Sequence, residues 1–140
     1  MNNNIGEDRC SFEVSKLLKE KSFSVPVNSY YRISGDIRFG AATHYDWNHP
    51  KDQDDYYISC PTHALAIKWI RENFGIHIKI DWFPTEENLI DWDYSIQKIG
   101  VDIDEKGNSQ YLRDYDPESS FSSPEEATEA ALLYTLTKLI

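Results

Sequence analysis

The chain is predicted to fold as an α+β protein: a mostly antiparallel twisted sheet of about four to six strands with three helices, two of them on one sheet face. Three observations predict it. Residues 59–82 spell a capped helix, a glycine stop and an alternating strand. Ser123, Pro124 and Glu126 open a second apolar helical run that reaches residue 140. Between and before them, short alternating runs are separated by turn formers, the pattern of hairpins rather than of crossover units.

Taken in order, residues 1–10 are polar and are expected to be disordered. Ser11 caps a helix through about Lys21, with Phe12, Val14, Leu17 and Leu18 as its apolar stripe. Residues 27–33 and 37–41 form a hairpin around Ser34-Gly35-Asp36. Residues 43–55 show no period and read as a long surface loop. Pro61 suits the first position of a helix, because a proline lacks the N–H that would have no partner there. Leu65, Ala66, Trp69, Ile70 and Phe74 give that helix an apolar face, and Gly75 closes it. Ile76, Ile78, Ile80 and Trp82 then alternate with His77, Lys79 and Asp81, which predicts a half-buried strand with Trp82 in the core.

A further strand places Trp92, Tyr94 and Ile96 on one face, with Asp91, Asp93 and Ser95 on a solvated face. The apolar phase then flips to Ile99, Val101 and Ile103, which implies a bulge near residues 98–100. Residues 110–115 return as a partner strand, and the last helix lies on the sheet beside the second one.

At 140 residues the chain fits a single domain, residues 1–140, long enough to bury a core without staples. The charge is uneven. Residues 1–80 hold ten acids and ten bases, whereas residues 81–129 hold fourteen acids against Lys98, Lys106 and Arg113. An acidic surface repels phosphate, so direct nucleic-acid binding is not expected, and a basic protein partner suits it better. No signal sequence or membrane span is read, and Cys10 and Cys60 are too few for a disulfide framework. A cytoplasmic protein with free thiols follows as the expectation. The oligomeric state stays open.

Two arrangements carry candidate chemistry. Cys60, at the expected helix N-terminus, would feel the positive end of the dipole, with His63 three residues on as base. Neither a glycine-rich oxyanion loop nor a third orienting residue accompanies the pair. His44, Asp46 and His49, with Asp52 or Asp54, offer metal-ligand types in the loop, at a spacing that matches no named site. Trp47 is the aromatic most expected to stand exposed. Residues 102–113 begin like a calcium loop, but Lys106 and Arg113 occupy ligand positions and defeat it. No phosphate loop, cofactor signature or serine elbow occurs.

Four segments together resemble a family of small uncharacterised proteins encoded in gut Bacteroides genomes and their phages or mobile elements. They are residues 12–21, residues 61–72, the Ile76-His77-Ile78 strand and residues 125–132. The resemblance rests on packing and capping residues and implies no catalytic residue. It departs at Cys60 and His63, where the family pattern carries Ala and Gln. The expected function is therefore a small non-catalytic interaction or accessory protein of mobile-element origin. The alternative is a thiol enzyme or metal binder built on Cys60 and His63 or on the 43–55 loop.

Overall fold

The computed structural model describes residues 8–39, 43–49, 57–87, 89–100, 111–116 and 118–140. The fold is α+β, with three α-helices and six strands among the described residues. The strands are divided between two three-stranded antiparallel sheets instead of sharing one. The chain divides into two compact units, Met1–Ala66 and Ile67–Ile140.

In the N-terminal unit, α1 (Phe12–Glu20) begins where the cap signal placed it: the Val14 N–H donates to Ser11 Oγ at 3.2 Å. Val14 and Leu18, one turn apart, are fully buried while Glu13, Lys16 and Glu20 face water. The helix packs on β3 (Tyr57–Ser59). β1 (Ser29–Arg32) and β2 (Ile37–Phe39) form the expected hairpin, in register Tyr30 to Arg38. Gly35 turns it at φ 92°, a conformation that side chains with a Cβ resist. β3 flanks β1 on its other edge, giving the order β2-β1-β3.

Residues 8–10, expected to be frayed, are instead tied down. Arg9 bridges Thr62, the Cys10 N–H donates to Pro61 O at 3.0 Å, and the His63 N–H donates to Asp8 O at 2.8 Å. Residues 1–7 lie outside the described residues. The segment 43–49 is equally anchored. Tyr45 bridges Val27, and Asn48 donates to Phe23 O at 2.9 Å while accepting from the Ser59 N–H at 2.9 Å. Trp47 is a correction to the sequence expectation. Its Nε1 donates to Val27 O at 3.1 Å, and its half-buried ring sits against Tyr30, Tyr45 and Tyr57.

α2 (His63–Phe74) is stopped by Gly75 at φ 65°, as its sequence requires. In the C-terminal unit β4 (Ile76–Pro84) and β5 (Ile90–Lys98) form a nine-residue ladder in register Ile80 to Tyr94. β6 (Tyr111–Arg113) extends the sheet from β5, with a register shift at Ile96 and Gln97. Downstream, Phe121 bridges Trp92 and continues along the same edge of β5. Ile99 is exposed in a turn, while Val101 and Ile103 lie outside the described residues.

α3 (Pro124–Tyr134) packs on β4 and β5, with Ser123 Oγ accepting from the Glu126 N–H. A π-helical turn, Thr135–Leu139, follows it. Thr135 and Thr137 turn their hydroxyls back onto the carbonyls of Ala131 and Leu133, the kind of side-chain intrusion that loosens a helical ladder.

Two sequence expectations about this sheet are corrected. Trp82 is 59% exposed, and Asp93, assigned to a solvated face, is 1% exposed. The first has a simple origin in lengths. A nine-residue hairpin runs about 30 Å, while the eleven residues of α3 span about 16 Å, so the helix cannot cover the whole ladder. Ile76, Ile78, Tyr94 and Ile96 are buried, and the turn end keeps Trp82, Leu89 and Ile90 exposed.

Candidate functional site

The structure does not join Cys60 and His63 as the sequence proposed. α2 begins at His63, two residues later than the Pro61 signal suggested, and Thr62 is its cap: Thr62 Oγ1 accepts from the Leu65 N–H at 3.2 Å. Cys60 therefore precedes the helix instead of sitting in its first turn, and the three-residue spacing no longer puts both side chains on one helical face. The thiol is fully buried and points at Cys10 O, 3.4 Å away. Burial pushes its pKa above the ordinary thiol value, although the hydroxyls of Ser29, Tyr31 and Ser15 and the charge of Arg9 work against that. His63 makes no hydrogen bond to it among the described residues. A ring nitrogen of His63 lies instead within 4.8 Å of Cys10 Sγ. A neutral, buried thiol is poorly placed for attack, because the thiolate is the nucleophile.

The loop ligands do not converge either. Asp46 Oδ1 accepts from the Asn48 N–H at 3.0 Å, a turn of the Asx type. Among the described residues, His44, Asp46 and His49 are not a group whose ligand atoms all come within 4.8 Å of one another. Asp52 and Asp54 lie outside the described residues.

The same unit holds a small cavity of about 150 Å³ lined by Arg9, Asn28, His44, Cys60, Thr62 and Leu65. Ser29 is the buried pivot behind Arg9. It donates to Cys60 O at 2.7 Å and accepts from Arg9 Nη1 at 2.5 Å. A wider depression of about 510 Å³ is lined by Phe12, Lys16, Lys19, Glu20, Ile33 and Ile58. It carries both signs of charge, and Lys19 is engaged with Tyr57 O at 2.9 Å.

In the C-terminal unit the sequence missed a buried ion pair. Arg113 Nη1 donates to Asp93 Oδ1 at 3.0 Å and also to the Tyr94 carbonyl, and its guanidinium stacks 3.7 Å over the Tyr94 ring. The Asp116 N–H donates to Asp93 Oδ2 at 2.8 Å. Asp93 thus pins the strand-to-loop stretch at residues 113–116 to β5, and it is not an acid available for contact. No spacing rule reveals this, because the partners lie 20 and 23 residues downstream. The acids near the exposed hairpin end are Glu86 and Glu87, with Asp91 half-buried and Asp81 paired to Lys79 at 3.3 Å, and Trp82, Leu89 and Ile90 are exposed there.

Comparison with protein-family models, with curated proteins and with solved structures finds no match for this chain. Among the described residues no helix is long and apolar enough to cross a membrane.

Proposed function

We propose that the chain is a small, non-catalytic, cytoplasmic interaction module of phage or mobile-element origin whose acidic C-terminal half docks a basic amphipathic protein segment. The origin rests on the family resemblance of its capping and packing residues. The docking reading is carried by one observation: Trp82, Leu89 and Ile90 stand 59%, 60% and 55% exposed at the hairpin end that also carries the exposed acids Glu86 and Glu87. Exposed tryptophan is enriched among interaction hot spots, which a polar rim surrounds. The rim sets the sign of the partner, because acids steer and retain cationic surfaces.

The test is titration of a labelled lysine-rich amphipathic helical peptide, followed by fluorescence anisotropy at low and high salt. Salt-sensitive binding that weakens roughly tenfold, or about 1.4 kcal/mol, in both W82A and the E86K/E87K double variant agrees with the proposal. Equal affinity for all three proteins, or binding indifferent to salt, refutes it.

A further inference from the structure

We propose that the cavity among Arg9, Asn28, His44 and Thr62 is a binding site for a small oxyanion of the phosphate or phosphomonoester class. Arg9 is held from behind: its Nη1 donates to Ser29 Oγ at 2.5 Å and to Asn28 Oδ1 at 3.3 Å, and the guanidinium lies 5.4 Å from the Phe39 ring centre. A guanidinium carries five N–H donors and no acceptor, and Arg9 forms no ion pair among the described residues. Asn28 presents its oxygen to Arg9, so its NH₂ is the end left to donate. Thr62 Oγ1 already accepts from the Leu65 N–H, so its O–H also has a proton to give. No Asp or Glu lines the cavity among the described residues.

Arg9, Asn28 and Thr62 thus present donors to this cavity, next to a fixed positive charge. The fixed guanidinium opposes a metal cation beside His44, which inverts the expectation formed for that residue, and the donors suit an anion with several acceptor oxygens. Thr62 also caps the twelve-residue α2, whose positive end adds to the same potential. Size narrows the class. About 150 Å³ falls short of the roughly 300–1,000 Å³ of drug-sized ligand sites, so a phosphate group fits where a whole nucleotide does not. Phosphate could arrive free or on a phosphorylated side chain, and the chemistry of recognition is the same.

Isothermal titration with inorganic phosphate, and separately with a phosphoserine peptide and its unphosphorylated twin, tests the site on the full chain. The expected result is saturable binding that requires the phosphate group, falls by at least about tenfold in R9Q, weakens in H44A and is unchanged in R38A, an exposed arginine of β2. Binding of the phosphopeptide alone identifies the phosphorylated side chain as the source, and binding of both ligands identifies the anion itself. Circular dichroism reports whether R9Q folds. His44 is exposed, so H44A decides the matter if R9Q does not. The proposal is overturned if neither ligand binds, or if the folded variants bind as tightly as the unaltered chain.

Discussion

The N-terminal and C-terminal units each build a three-stranded antiparallel sheet, but they stabilise it by different means. In the first, strands of three or four residues supply few ladder bonds, and polar side chains bond directly to backbone groups. Asn48, Trp47, Ser29, Tyr31 and Lys19 each reach a main-chain partner in this way. In the second, a nine-residue ladder carries the sheet, and one buried charge pair fixes what lies along its edge. A unit knitted by side chains encloses a cavity with donors to spare. A unit held by its backbone can leave one end of a hairpin uncovered and acidic.

The largest effect is expected for R113A, which leaves the Asp93 carboxylate buried and unpaired. Urea unfolding should show a loss of about 3–5 kcal/mol, while the paired replacement D93L/R113M recovers much of it. A loss below about 1 kcal/mol would mean that the pair behaves as a solvated surface contact. Next come S29A and N48A, each removing a polar group that satisfies buried or half-buried partners. About 1–3 kcal/mol apiece is expected, with N48A also raising proteolysis within residues 43–49.

A smaller effect is tied to pH. The fold holds the Cys60 thiol protonated and raises its pKa, so the unfolded chain gives up that proton first. Its stabilising contribution is complete below the ordinary thiol value, about 8.5, and is lost as pH rises through the elevated folded value. Burial shifts the Tyr94 phenol in the same direction. The gap between urea midpoints at neutral and alkaline pH should therefore narrow in C60A. Native Cys60 should also react with iodoacetamide only slowly, and rapidly once unfolded. The smallest effect belongs to the exposed rim. E86K and E87K should shift stability by no more than about 0.5 kcal/mol, and a larger loss would place these acids in the scaffold.

Helix starts and stops were legible in the sequence wherever the signal is local. Ser11, Ser123 with Pro124, and Gly75 act on groups within four residues, so spacing alone reveals them. The second helix shows the limit. Pro61 is compatible with a first turn, but Thr62 pairs with Arg9 and caps a helix that begins at His63, which removes the spacing argument for Cys60 and His63. Asp93 failed differently. Alternation gave its face correctly, yet whether that face meets water depends on residues 113–116 folding over it. The donor cavity was illegible for the same reason, since Arg9, Asn28, His44 and Thr62 become neighbours only through tertiary structure.

The Asp93 clamp has a consequence for life in a crowded cell. β5 is bordered by β4 on one side and by β6 and the Phe121 bridge on the other, so both of its rims are occupied. A strand rich in aromatic and β-branched residues would otherwise be a template for fibrillar growth. One carboxylate that never meets solvent thus helps keep the far rim of this strand from recruiting a neighbour.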